Sequence, residues 1–106
     1  MEQAETILRA LAEPRRLAIL RLIRARELRA GEISGHFRTT RPAISQHLRV
    51  LVRAGLVTER REGTRRLYRL RPQGFTQLRQ YLDSFWNERL ARLKSAAESE
   101  MRKRGV

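Results

Sequence analysis

Apolar residues return every three or four positions along most of the chain, and the breaks in that rhythm mark its elements. Ala4, Ile7, Leu8 and Leu11 lie on one helical face, so residues 3–12 read as a short amphipathic helix that ends before Pro14. Pro14 suits the first turn of a second helix running to about residue 25. Its stripe is Leu17, Leu20 and Ile23, with Ile19 and Leu22 beside it. After a loop at Glu27–Ala30, Gly31–Phe37 predicts a third, short helix carrying Ile33 and Phe37 at i, i+4. Gly35 weakens that helix, since glycine inside a helix costs roughly 1 kcal/mol against alanine. The turn Arg38-Thr39-Thr40 follows. Thr40 is a plausible N-cap and Pro42 is tolerated in a first turn, which predicts a fourth helix over Arg41–Ala54, stopped by Gly55.

Beyond Gly55 the period changes. Leu56–Arg61 and Arg66–Arg71 read as two strands joined by Glu62-Gly63-Thr64-Arg65, where Gly63 can supply a positive-φ turn position. From Phe75 the helical period resumes, with Phe75, Leu78, Leu82 and Phe85 on one stripe that Trp86, Leu90, Leu93 and Ala97 continue towards Met101. This fifth helix spans roughly 40 Å at about 1.5 Å per residue.

The order α-α-α-α-β-β-α, with a three-residue turn before the fourth helix and a hairpin after it, is that of a winged helix-turn-helix: mainly α with a small β-hairpin. One domain accounts for residues 1–106, with the helix-turn-helix at 31–54, the wing at 56–71 and terminal helices at 1–12 and 74–102. Three short helices cannot cover a stripe as long as that of the fifth. Part of it is therefore expected to pack across a two-fold axis, making a homodimer. Trp86, Phe85 and Tyr81 could alternatively line an effector cavity, although core packing is the simpler account.

Charge sharpens this reading. The 106 residues hold 24 Lys+Arg against 11 Asp+Glu, a formal net charge of +13, and the partners of such a surface are polyanions. Residues 38–71 contain ten arginines and two acids, Glu59 and Glu62, so a third of the chain carries most of the excess. No run of 18 apolar residues could span a membrane and no basic-then-apolar leader opens the chain, so a cytoplasmic protein is expected. The absence of cysteine excludes a disulfide framework, a thiolate metal site and cysteine catalysis.

On the fourth helix Ile44, Leu48, Leu51 and Val52 share an arc of about 100° and must face the core, leaving Gln46, Arg49 and Arg53 outward. Thr39, Thr40, Arg41 and Ser45 stand at its N-terminus, the end that enters a major groove in this class of motif. Arg41 and Gln46 are the candidates for base edges, because arginine pairs bidentately with guanine and glutamine with adenine. Arg49 and the two threonine hydroxyls suit phosphates, and His47 is a further candidate for a backbone contact. Arg60, Arg61, Arg65, Arg66 and Arg69 decorate the hairpin, where Arg61, Arg65 and Arg66 are placed to straddle phosphates or enter the adjacent minor groove. The plainer readings are a solvated polar helix face and an edge hairpin protected from aggregation by its charge.

Four segments in this order are similar to those of one family: Leu11-Ala12-Glu13-Pro14-Arg15-Arg16-Leu17-Ala18-Ile19-Leu20, Arg41-Pro42-Ala43-Ile44-Ser45-Gln46-His47-Leu48-Arg49-Val50-Leu51, Ala54-Gly55-Leu56-Val57, and Glu62-Gly63 through Tyr68. Together they make the chain resemble the ArsR/SmtB family of bacterial repressors over most of residues 3–100. The resemblance implies a homodimer built from the first and fifth helices, with Ile7, Leu8 and Leu11 joining Leu78, Leu82, Phe85, Trp86, Leu90 and Leu93 at the seam. It also implies an inverted-repeat operator and repression released by an inducer. Many such relatives sense metals through cysteines after a Glu-Leu pair or through histidine and carboxylate ligands on the last helix. Here Glu27-Leu28 is followed by Arg29, Ala30 and Gly31, and the fifth helix has Asp83 and Glu88 but no histidine. No metal and no cofactor is expected, and double-stranded DNA, a second copy of the chain and an unidentified small-molecule effector are the expected partners.

An enzyme lacks its parts: no nucleophile beside a base, no phosphate-binding glycine loop, no paired carboxylates at a cleft. Two other readings stay open on the sequence. A sequence-neutral nucleic-acid packaging protein would suit the charge, and a winged helix can also hold another protein. Salt and sequence dependence of binding separate the three.

Overall fold

The structure is a computed structural model that describes residues 2–105. Its elements run α1 (Glu2–Leu11), α2 (Pro14–Ile23), β1 (Leu28–Arg29), α3 (Ala30–Ser34), α4 (Arg41–Arg53), β2 (Val57–Glu62), β3 (Arg65–Leu70), a 3-10 turn (Pro72–Phe75) and α5 (Thr76–Lys103). The chain is mainly helical with a small antiparallel sheet, and the sheet has three strands, ordered β1-β3-β2, where the sequence predicted two. Leu28 pairs with Tyr68 and Arg29 with Leu67. Two residues are too short for a period-2 signal, and only β3 lying alongside makes them a strand.

Local chemistry explains most of the boundaries. Glu13 caps α2 by accepting from the Arg16 amide at 3.0 Å, and Thr40 Oγ1 caps α4 by accepting from the Ala43 amide at 3.2 Å. The third helix is shorter than expected: it stops at Ser34, and Gly35 serves as its C-cap. Gly55 leaves α4 with φ +79°, and Gly63 turns the hairpin with φ +64°. Glu62 pairs with Arg65, so the connection is Gly63-Thr64 alone, with glycine first as a type II′ turn requires. Gly74 is needed for space rather than for its φ. A Cβ there would fall 1.9 Å from the Gly55 carbonyl oxygen, so the 3-10 turn can seat against the end of α4 only without a side chain.

The core joins all elements. Ile7, Ile19, Ile23, Leu28, Ile33, Ile44, Leu48, Leu51 and Leu56 are each less than 2% exposed. Ile7 and Leu78, expected at a dimer seam, are thus spent inside the subunit, Ile7 with no exposed surface and Leu78 with 8%. Leu17, expected on the buried stripe of α2, is 36% exposed. Beyond Leu82 the stripe of α5 leaves the body altogether: Phe85 is 63%, Trp86 46%, Leu90 53% and Leu93 62% exposed. Tyr81 and Phe85 meet edge-to-face with ring centroids 5.0 Å apart, yet Phe85 and Trp86 are not covered within the subunit. Among the described residues no helix is long and apolar enough to cross a membrane.

Candidate nucleic-acid interface

The two faces of α4 separate as their spacing dictates. Ile44, Leu48 and Leu51 are buried and Val52 half-buried, while Arg41, Ser45, Gln46, Arg49 and Arg53 are exposed. Arg41, Ser45, Arg49 and Arg53 follow one another at four-residue steps and form a row down the helix. Ser45, Arg49 and Arg53 line a gap of about 350 Å³ facing Glu59, Arg66 and Tyr68 of the hairpin. Gln46 stands beside this row, where its Oε1 accepts from Arg49 Nη1 at 3.3 Å. That bond orients the amide and leaves its NH2 free. Thr40 uses its hydroxyl oxygen as the helix cap, which leaves the O–H to donate outward, and Thr39 is half-buried beside it.

His47 is not on this strip. It sits one step towards the core, its side chain 20% exposed and its Nδ1 3.8 Å from Glu13 Oε2 and 3.3 Å from Arg16 Nη1. Arg16 also donates to the carbonyls of Ala10 and Arg9, where α1 ends. His47 therefore ties α4 to the junction of α1 and α2, and its helix position, beside the buried Ile44 and Leu51 on the same face, is the reason.

The hairpin's alternation assigns its arginines to two sides. Val57, Glu59 and Arg61 share a face with Leu70, Tyr68 and Arg66, because these residues are cross-strand partners, and this face carries the buried Val57 and Tyr68. Arg61 and Arg66 thus meet directly across the ladder, a like-charge pairing that is destabilising without an anion. Arg66 is only loosely balanced by Glu59, at 3.7 Å. Arg65 pairs with Glu62 in register and points to the other face, with Arg60 and Arg69.

Arg60 proves to be structural. Its guanidinium grips Glu27 with both nitrogens, Nε to Oε2 at 2.9 Å and Nη2 to Oε1 at 2.6 Å, and reaches Glu62 at 3.0 Å. The grip fastens the wing to the loop before β1, and it holds the Glu27 carboxyl below the usual carboxylate range. By contrast Arg41, Arg53, Arg61 and Arg65 have no carboxylate partner among the described residues. Burial and the neighbouring Glu59 push the Tyr68 phenol up.

Another cleft, of about 590 Å³, lies between α3 and the wing tip, where Arg29 and Gly31 meet Arg41, Thr64, Arg65 and Arg66. Arg29 and Gly31 carry no periodic or motif signal; they come beside Arg41 only because α3 and α4 pack together. No three histidine, cysteine, aspartate or glutamate side chains group to hold a metal ion among the described residues.

Residues 13–59, which hold α2 through α4 and the start of the wing, match the family model described as bacterial regulatory protein, arsR family. The chain is also 43% identical over 91 residues, 86% of its length and 85% of the relative's, to the HTH-type transcriptional regulator Rv2034 of Mycobacterium tuberculosis. The chain belongs to the ArsR family. It is a DNA-binding transcriptional regulator and not an enzyme. A solved structure described as a possible transcriptional regulator for arsenical resistance is 46% identical to this ArsR-family chain, with TM-score 0.70 over 91% of it and 96% of the other. The homodimeric winged helix-turn-helix DNA-binding domain of Mb0332 from Mycobacterium bovis is 32% identical, with TM-score 0.66, over 84% and 82% of the two chains.

Proposed function

We propose that this ArsR-family chain acts as a homodimeric, metal-independent repressor of an inverted-repeat operator. Two copies of α4 enter successive major grooves about 34 Å apart, one helical turn. The observation that carries the reading is the row of Arg41, Ser45, Arg49 and Arg53, with Gln46 beside it, facing a hairpin whose Arg61 and Arg66 oppose each other without a full counter-charge. Such an arrangement is stabilised by the phosphates of a duplex. Gln46 is the base reader: its amide, held by Arg49, matches the N6/N7 edge of adenine. Arg49, Arg53 and the Thr39 and Thr40 hydroxyls contact phosphates, and Arg61, Arg65 and Arg66 hold the strand beyond the groove.

Dimerisation rests on Leu8, Phe85, Trp86, Leu90 and Leu93, with the half-buried Leu11 and Leu82, and the homodimeric Mb0332 domain supports it. A dimer covering promoter DNA represses by excluding the transcription machinery. A small-molecule effector would take the apolar cleft of about 300 Å³ lined by Phe75, Leu78, Leu82 and Trp86, since filling it would shift α5 and the spacing of the two α4 helices. The test is competition binding on a duplex recovered by selection of bound genomic fragments. Gln46→Ala should relax base preference at one position of each half-site by 1 to 3 kcal/mol, roughly ten- to a hundredfold, without changing the salt slope. Equal affinity of the wild type for selected and random duplexes would leave the packaging reading instead, and no duplex affinity would leave the protein-binding one.

A further inference from the structure

The cleft between α3 and the wing tip opens beside the first turn of α4, at the end of the row that Arg41 begins, and three arginines of α4 and the wing line it. Arg41 comes from the first turn of α4, and Arg65 and Arg66 come from the start of β3. Arg41 and Arg65 have no carboxylate partner among the described residues, and Arg66 has only Glu59 at 3.7 Å. Arg29, on the cleft's other wall, is already spent on Glu32 at 3.1 Å, so the wall is rigid but adds no free cation. A recess bordered by cations that lack a full counter-charge suits an anion, because an opposite charge nearby stabilises the charged form of each.

Arg41 reaches this recess because of what lies beneath it. A Cβ built on Gly31 would sit 3.0 Å from Arg41 Nη2, so the guanidinium lies against the bare backbone of α3. There it borders the same cleft as Thr64, Arg65 and Arg66 of the wing tip. This position offers Arg41 a phosphate-binding role in place of the base-reading one expected from its place at the helix N-terminus.

We propose that the α3–wing cleft is the seat of one backbone phosphate of the bound duplex, with Arg41 and Arg65 as its cations, Arg66 in support and Gly31 as the gap that admits Arg41. This rests on the DNA-binding reading above and names a subsite within it. The seat fixes the angle between α4 and the wing on the strand, and each dimer carries two of them.

The experiment combines protein variants with single methylphosphonate substitutions, which neutralise one phosphate at a time, in the selected operator. Arg41→Gln should weaken selected and random duplexes alike, about tenfold per seat. It should lower the salt slope by about 1.8 per dimer and leave the base preference intact. At one phosphate of each half-site, neutralisation should weaken the wild type about tenfold and the Arg41→Gln variant hardly at all, and Arg65→Gln should be non-additive with the same phosphate. Gly31→Ala guards against a trivial failure to fold. Alanine favours the helical backbone of α3, so the variant should melt no lower than the wild type and still bind duplexes several-fold more weakly. The proposal is overturned if Arg41→Gln changes preference at a base position while every methylphosphonate effect stays additive, or if Gly31→Ala binds as tightly as the wild type. A wild type that shows no duplex binding would instead refute the regulator reading, so the two failures are distinguishable.

Discussion

Trp86→Ala should split the dimer, and the size of the effect follows from how much of the ring the subunit leaves in water. The residue is 46% exposed on the outer stripe of α5, between Phe85 and Leu90. A tryptophan side chain presents up to roughly 250 Å², so about 115 Å² remains for a partner to cover. At about 25 cal/mol per Å² that is about 3 kcal/mol per subunit, and twice that across a symmetric interface. Alanine keeps a small part of the contact and the partner leaves some of the ring wet, so ~3 kcal/mol per dimer is the working value. The dimer dissociation constant should rise about a hundredfold. Sedimentation equilibrium over a concentration series measures this, and Trp86→Phe should recover most of the loss. Because Trp86 is the single tryptophan, the wild type carries its own reporter: its emission should shift to the red on dilution as the dimer separates. An unchanged dissociation constant in Trp86→Ala, or emission independent of concentration, would refute the assignment of this face to the partner subunit.

Gly74→Ala should cost several kcal/mol, because the added carbon would fall 1.9 Å from the Gly55 carbonyl oxygen and the backbone must move to admit it; chemical denaturation would show it, and a loss under ~1 kcal/mol would contradict the close approach. Thr40→Ala removes the α4 cap and should lower stability by about 1 kcal/mol, with Thr40→Ser restoring it in the same denaturation assay. The Glu27 carboxyl is held below its ordinary value near 4.5 by Arg60, so its contribution is present above about pH 4.5 and is lost as pH falls through the lowered folded value. Wild type and Arg60→Gln should therefore differ most at neutral pH and converge in acid, and a gap that stays constant down to low pH would contradict the linkage. Tyr68 runs the other way: its raised value, caused by burial and Glu59, gives stability present below about pH 10 and lost as pH rises further, which Tyr68→Phe should abolish in alkaline melts.

Much of this molecule could be read from one dimension. The 3.6-residue period of Ile44, Leu48 and Leu51 was enough to turn Gln46 and Arg49 outward, because helix geometry alone decides which residues share a face. Caps and breakers did the same for boundaries: Thr40, Pro14, Gly55 and Gly63 act through bonds and dihedrals within a few residues of themselves. The basic balance pointed to a polyanion for the same reason, since net charge needs no fold. What the sequence left undecided involves partners distant along the chain. Leu28–Arg29 becomes a strand only when β3 arrives. Arg60 and Arg65, both wing arginines by position, part ways because Glu27, 33 residues from Arg60, closes on one of them and not on the other. Ile7 and Leu8 are neighbours on one stripe, yet packing buries the first in the subunit and leaves the second 37% exposed. Arg41 lies against the backbone of Gly31, ten residues earlier, only because α3 packs on α4. Local periodicity and capping chemistry determined the helices and their faces, whereas which arginines meet a carboxylate within the subunit and which stay without one was decided only where elements distant in sequence came into contact.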